Sequence, residues 1–442
     1  MAQGAPIGKA DGNVEAAPAP SVADFLSAFW TVGVLSFGGP AGQIATMHRE
    51  LIDKRRWFEE AEFLGALNFC MLLPGPEAQQ LATWCGWRLR GAWGGIAAGL
   101  LFLLPGAAVM AALVAIYLAF GRLAPVQALF GGVQAAVVAV VAQALLRVAG
   151  KALKTRLAWG LAGLAFVLLV GFGLPFPLVV ALAAAIGAWR GREAPKAAPA
   201  LARHPPWSRT AGVLAAGSAL WLAPLGALAA WLGPAHELVD LGNFFAQLAT
   251  ASFGGAYAGL AYVAQGAAAA HGWVTPAEIV DGLALAETTP GPLVLTYQFV
   301  GGLAGHRIAG PWGPGAGAAI GMALVLWLTF VPSFVLVLGL APQFDRLLAA
   351  PLLARALAGV TAAVVGVVAS LGLWFALHVL FARVTTEAIG PLTLWVPHGA
   401  PDLFAAAIAL AASLLLRRGS PMAAVLALAA LAGVLRWIMN PG

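Results

Sequence analysis

Two short motifs, each present twice, place helix-breaking residues beside small neutral donors. The first is Ser36-Phe37-Gly38-Gly39, which returns as Ser252-Phe253-Gly254-Gly255. The second is Pro74-Gly75-Pro76, which returns as Pro290-Gly291-Pro292. Two prolines cannot both continue one helix, and the glycine between them lets the chain turn sharply. A helix that begins after such a break presents unpaired N–H groups and about half a positive charge, a ready site for an anion. Four such starts are expected, after Gly39, Gly75, Gly255 and Gly291. Pro40, Pro76 and Pro292 suit a first helical position, where the missing N–H costs nothing. Around the first pair of breaks lie Ser36, Gln43, Gln79 and Gln80; around the second lie Ser252, Thr288, Thr289 and Thr296. Neutral donors suit a tetrahedral oxyanion that must be released again, whereas a buried Lys or Arg would hold a dianion tightly. The plainer alternative is that the breaks only permit close packing; their occurrence in matched pairs weighs against it.

Glu77 follows the first Pro-Gly-Pro and Glu287 precedes the second. A carboxyl out of water holds its proton more tightly, and ionisable residues at membrane depth are costly and usually functional. Proton coupling is therefore one role open to both acids; accepting hydrogen bonds from helix N–H groups is the other. Glu62 and Glu278 read as surface acids that open helices, and Arg49 and Arg88 as charges that set topology. His48, His306, His378 and His398 form no ligand spacing. Cys70 and Cys85 are the only cysteines; they read as small packing residues. No metal and no cofactor is expected.

The elements that must position these residues follow from composition. The 442-residue chain is 61% hydrophobic and 10% charged, with a mean hydropathy of +0.88. A polytopic protein in a lipid bilayer looks like that, and a soluble domain does not. The net charge of +6 sits in loops that flank apolar spans. Basic runs such as Lys54-Arg55-Arg56 lack interleaved aromatic residues, so no nucleic-acid partner is expected. Glu62 to Leu73 is about 18 Å long as a helix, roughly half of a 30 Å hydrocarbon core. The simplest arrangement is half-helices that meet near the bilayer midplane, where broken backbone survives only inside protein or around a wet cavity.

The expected fold is an all-α polytopic membrane protein. Residues 1–21 read as a disordered cytoplasmic tail and 22–189 as a first transmembrane domain. Residues 190–237 are a basic linker with one connecting span, about Ala211–Leu232. Residues 238–442 are a second transmembrane domain. In each domain the broken elements precede about four spans: near Ala92–Phe120, Pro125–Leu146, Ala158–Phe172 and Pro175–Trp189, then near Trp312–Leu340, Leu352–Phe381, Pro401–Leu416 and Pro421–Ile438. Pro105 should kink the first.

The two domains are repeats. Residues 36–86 laid on 252–302 without gaps give 13 identities in 51 positions. They include Trp57 with Trp273 and Glu62 with Glu278, which shared Ala and Gly content does not produce. Loop charge gives their orientation. Residues 48–57 hold four Lys or Arg, and the matching 264–273 hold none. Residues 147–156 are basic, while the matching 382–398 hold only Arg383. Basic loops thus swap phase between the halves, which by the positive-inside rule makes an inverted-topology repeat. The fit puts the N-terminus in the cytoplasm and the C-terminus outside.

S-F-G-G-P, H-R-E-L-I-D-K-R-R-W, N-F-C-M-L-L-P-G-P-E-A-Q-Q-L-A-T, S-F-G-G-A-Y-A-G-L-A-Y-V and A-E-T-T-P-G-P-L together resemble the chromate ion transporter family, long two-domain type. The resemblance covers about residues 25–440, with Ala256 where the first half has Pro40. It implies a bacterial inner-membrane carrier that exports chromate, is linked to the proton-motive force and is sensitive to sulfate. A monomer and a homodimer are both compatible with the sequence. The residues alone leave a carrier of sulfate or another oxyanion and an anion channel open. An intramembrane enzyme finds no support: there is no His-Glu-x-x-His, Gly-x-Ser-x-Gly or aspartate-rich motif.

Overall fold

The computed structural model describes residues 20–191, 206–253, 255–348 and 350–440. The expected tail and most of the basic linker lie outside them, as does Gly254. The first half begins with α1 (Val22–Leu35), α2 (Gly39–His48) and α3 (Glu60–Met71), followed by α4 (Glu77–Phe120) and α5 (Ala124–Ala152). It ends with α6 (Arg156–Val170) and α7 (Phe176–Arg190), and α8 (Trp207–Leu232) connects the halves. The second half opens with α9 (Glu237–Ala251), α10 (Ala256–Val263), α11 (Pro276–Thr288) and α12 (Leu295–Ile308). It continues with α13 (Pro314–Leu340), the short α14 (Phe344–Leu348), α15 (Pro351–Leu380), α16 (Leu403–Arg417) and α17 (Met422–Met439).

Among the described residues six helices are long and apolar enough to cross a membrane: α4, α5, α8, α13 with its 3₁₀ extension, α15 and α17. Three expected spans, α6, α7 and α16, have 15 residues each, about 22 Å at 1.5 Å per residue. Gly-containing turns at Gly173 and Gly419, both at positive φ, end α6 and α16 early. The expected short helix after the first Pro-Gly-Pro and the span that follows it are the two arms of α4, which bends sharply at Arg90 and Gly91 (φ 67°).

The duplication extends into backbone detail. A π-helical turn follows α2 at Arg49–Lys54 and α10 at Ala264–Ala270. In each repeat the tryptophan N–H closes the next turn: Trp57 donates to Leu51 O at 2.9 Å and Trp273 to Ala267 O at 2.9 Å. The preceding residues, Arg56 and Gly272, both take positive φ. Later in each half the register shifts, so that Pro105 inside α4 matches Pro332 inside α13. Proline removes one intrahelical bond and bends the helix. The carbonyl freed by Pro332, Leu328 O, accepts from Trp221 Nε1 at 2.9 Å.

Contacts between the halves are reciprocal. Helix α5 packs on α16 and α17 as α15 packs on α6 and α7, and α5 and α15 pack on each other. These pairs approach through glycine: a Cβ on Gly132 would strike Ala429 O, and one on Gly433 would strike Ala128 O. Gly187 and Gly359 make the matching approach between α7 and α15. Gly132→Val and Gly433→Val should each destabilise the protein by about 1–3 kcal/mol, the usual cost of overpacking, measured by unfolding in detergent.

Among the described residues one element is not helical. Strands β1 (Arg383–Ile389) and β2 (Leu392–His398) form an antiparallel hairpin, Ile389 pairing with Leu392 across Gly390-Pro391. The loop expected at 382–398 is this hairpin, docked by Thr393 N on Gly171 O at 2.6 Å. Its β-branched residues and its Gly-Pro turn favour a strand pair over a coil.

Candidate functional site

The two kinds of break meet across the halves. Gly75 N donates to Ser252 O at 2.8 Å, and Gly291 N donates to Ser36 O at 3.0 Å. Each Pro-Gly-Pro turn is thereby fastened to the Ser-Phe-Gly-Gly turn of the other repeat. Gln43 Nε2 adds a bond to Gly291 O at 2.6 Å. Gly75 and Gly291 have φ of 121° and 91°, in the region that side chains with a Cβ rarely enter. Each turn also rests on the proline bend of the opposite half, Gly75 beside Ser333 of α13 and Gly291 beside Gly106 of α4.

These bonds draw four chain starts around one small cavity. It is lined by Pro40 and Gln43 of α2, Pro76, Glu77 and Ala78 of α4, Gly255 and Ala256 of α10, and Pro292, Leu293 and Val294 ahead of α12. Its volume, about 20 Å³, has room for about one water molecule. No Lys or Arg lines it. The N–H groups of Glu77, Ala78, Ala256, Leu293 and Val294 find no acceptor among the described residues. The three helix starts that line it, of α2, α4 and α10, carry about half a positive charge each, about +1.5 in sum, which favours an anion.

Several expectations need correction. The fourth start lies later than Gly291: α12 begins at Leu295. A tight turn precedes it, with Leu295 N on Pro292 O at 2.9 Å and Thr296 N on Leu293 O at 3.1 Å. The hydroxyls do not face the cavity. Ser36 Oγ donates to Val32 O at 2.5 Å, Thr289 Oγ1 to Ala286 O at 3.3 Å and Thr296 Oγ1 to Leu293 O at 2.9 Å. Thr288 is exposed and donates to Leu285 O at 3.0 Å. Near a helix end a hydroxyl finds a backbone carbonyl of its own chain before any ligand. Ser252 contributes its carbonyl, as above. Gln79 Nε2 bonds Thr83 Oγ1 at 3.0 Å and Gln80 Nε2 bonds Pro74 O at 2.7 Å, so both brace α4. Gly38 (φ 83°) and Gly39 (φ 69°) form the turn into α2, and Pro290 packs on Gly106.

The two acids separate. Glu77 lines the cavity at the start of α4. Glu287 is 5% exposed and lies behind it; its Oε1 accepts from Tyr257 Oη at 2.5 Å and its Oε2 has no partner. That oxygen is 4.0 Å from the place a Cβ on Gly39 would take. Glu62 and Glu278 open α3 and α11, Glu278 within a capping box on Thr275. They also pair with Arg88 at 2.8 Å and Arg307 at 2.5 Å, tying α3 to α4 and α11 to α12. Tyr257, Gly106, Pro332 and Ser333 escaped the sequence reading. The matched Pro105 and Pro332 were the available signal. Cys70 and Cys85 are buried and free, and no group of three His, Cys, Asp or Glu among the described residues can hold a metal.

A helical bundle with six candidate spans among the described residues, broken helices in two matched sets and a small cavity where they meet fits a multi-pass membrane transporter. The chain belongs to the chromate transporter family, whose profile matches residues 23–188 and 239–434. It is 33% identical over 409 residues to the chromate transport protein of Pseudomonas aeruginosa, covering 90% of this chain and 89% of that one. It is 30% identical over 363 residues to the chromate transport protein of Cupriavidus metallidurans (81% and 84%). It is 30% identical over 425 residues to the probable chromate transport protein of Synechococcus elongatus (95% and 97%). No solved structure matches.

Proposed function

We propose that this protein is a secondary carrier that exports chromate, a sulfate-like tetrahedral dianion, from the cytoplasm across a bacterial inner membrane. The observation that carries the reading is the cavity on which chain starts from both halves converge without a cation. In this reading the free N–H groups of Glu77, Ala78, Ala256, Leu293 and Val294 hold the ion near the bilayer midplane, and Glu77 answers to protons. The glycines and prolines of the four breaks shape the backbone around it. A membrane potential of 100 mV favours outward movement of a dianion by about 4.6 kcal/mol, so the proton-motive force can drive export through its electrical part. A cavity with room for about one water must widen to take four oxygens. That favours a carrier, which changes shape at each cycle, over an open channel.

The proposed domains are residues 22–189 and 238–442, joined by 190–237 and inverted relative to each other. Leu118 and Gly121, at the end of α4, line one cavity with His306 and Arg307, just ahead of α13. Helices α4 and α13 thus run in opposite directions, which supports inversion. Single cysteines replacing Arg55 and His271, in a background lacking Cys70 and Cys85, should react with an impermeant thiol reagent from the cytoplasmic and periplasmic sides respectively. Labelling of both from one side would contradict inversion. Uptake of labelled chromate into everted vesicles should saturate and fall with excess sulfate; linear, sulfate-insensitive flux would overturn the carrier reading.

A further inference from the structure

The two repeats are not seated alike. Helices α10 and α11 pack against α5, α15 and α17. Their repeat counterparts α2 and α3 make no comparable contact with α15, α5 and α7; they rest on α1, α4 and α14. Matched positions show the consequence. Val280 is fully buried and its counterpart Leu64 is 46% exposed; Glu287 is 5% exposed and its counterpart Met71 is 47% exposed. Ala261 and Ala284 are buried, whereas Ala45 and Asn68 are exposed. One duplicated element has closed on the central pair α5 and α15, and the other has not.

The closed side carries a polar fastening with no counterpart among the described residues of the open side. Asp281 of α11 is 3% exposed. Its Oδ2 accepts from Tyr117 Oη of α4 at 2.7 Å and its Oδ1 from Gln134 Nε2 of α5 at 2.8 Å. A carboxylate of the second half is thus held by two donors of the first. At the matching place on the open side, Gly65 replaces Asp281 and Phe344 replaces Tyr117, with Phe344 Cζ 3.3 Å from where a Cβ on Gly65 would lie.

Asp281 also lines a water-accessible cavity of about 580 Å³. The charged and titratable groups around it are few. Glu278 on the same helix is paired with Arg307 of α12. Arg122 after α4 and His306 of α12 line the same cavity, and His306 Nδ1 has no partner. Arg436 of α17 lies beyond Gln134 and is paired with Asp402.

We propose that Asp281, with Tyr117 and Gln134, is a proton-responsive latch that keeps the second repeat's re-entrant pair closed, and that its release lets the first repeat's pair close in exchange. The proposal rests on the carrier reading, in which two matched elements close in turn. An ionised Asp281 accepts both hydrogen bonds. Once protonated, it loses the charge that strengthens both bonds, and the fastening loosens. The cavity supplies the water through which the proton arrives.

Single cysteines replacing Asn68 and Ala284 test the latch, in purified protein without Cys70 and Cys85 and reconstituted in lipid. At high pH, cysteine 68 should react with a polar thiol reagent and cysteine 284 should be protected. Lowering the pH should slow the first at least threefold and speed the second, with rates corrected for thiol ionisation by a model thiol. Asp281→Asn should give the low-pH pattern at every pH. Tyr117→Phe, which removes one donor and keeps the ring, should shift the pattern part of the way and serves if the asparagine variant fails to fold. Wild-type rates in the folded variants, exposure of 284 without protection of 68, or a cysteine 68 that never reacts would each overturn the proposal. The labelling needs no anion, so its failure is distinct from a failure of chromate transport.

Discussion

Gly75→Val and Gly291→Val should each lower chromate affinity at least a hundredfold in correctly folded protein. Both glycines sit at positive φ, where a branched side chain costs about 1–3 kcal/mol. A Cβ at 75 would run into Ser333 Oγ and Gln80 Nε2; one at 291 would press on Leu295 and Gly106. Each change also threatens the bond that fastens its turn to the other half, Gly75 N to Ser252 O or Gly291 N to Ser36 O. Every tenfold in affinity is about 1.4 kcal/mol, so strain and one lost bond suffice. Ser36→Ala should do far less, under about threefold, because the Ser36 hydroxyl serves Val32 O and only its carbonyl holds the partner turn. Calorimetry in detergent, with sulfate as competitor, measures all three. Wild-type affinity in both folded glycine variants would return the breaks to a packing role.

Glu77→Gln should leave chromate binding strong and remove its dependence on pH. Glu77 lines the cavity at the start of α4, where an ionised carboxylate favours the same N–H groups an anion would use and repels a dianion. Binding should therefore tighten as pH falls and the acid takes up a proton. The glutamine variant should hold the low-pH affinity throughout, roughly tenfold or more above wild type at high pH, since like charges this close cost several kcal/mol even at an effective dielectric of about 20. Glu287→Gln should keep the pH profile, because Glu287 lies behind the cavity against Tyr257. Parallel pH profiles of wild type and Glu77→Gln would remove Glu77 from coupling.

The helix breaks were legible because proline and glycine act through the backbone, and backbone constraint reads directly from residue type. The spans were legible from apolar length, and the halves from Trp57, Glu62 and the paired Pro-Gly-Pro turns. Hydroxyl roles were not legible. Ser36, Thr289 and Thr296 can serve a ligand or their own helix, and only geometry distinguishes the two. The true start of α12 at Leu295 was hidden because Pro292 fits both a first helical position and the turn found there. The 383–398 hairpin carried its own signal in the β-branched Val384, Thr385, Thr386, Ile389, Thr393 and Val396 around Gly390-Pro391, whereas loop charge does not distinguish a hairpin from a coil. Asp281 escaped notice because its repeat partner is Gly65, and its donors stand far off in sequence at Tyr117 and Gln134. The difference in seating between the repeats was not read from the sequence; on the proposed alternation it belongs to one conformation of the chain.

In the proposed function the anion sits where the four chain starts meet. Crystals grown with chromate and measured at the chromium absorption edge test it directly. One anomalous peak is expected within hydrogen-bond reach of the N–H groups of Glu77, Ala78, Ala256, Leu293 and Val294, lost when excess sulfate is added. A sulfate-sensitive chromium peak elsewhere, such as beside Arg122 and Arg307 in the larger cavity, with nothing between the breaks, would contradict it.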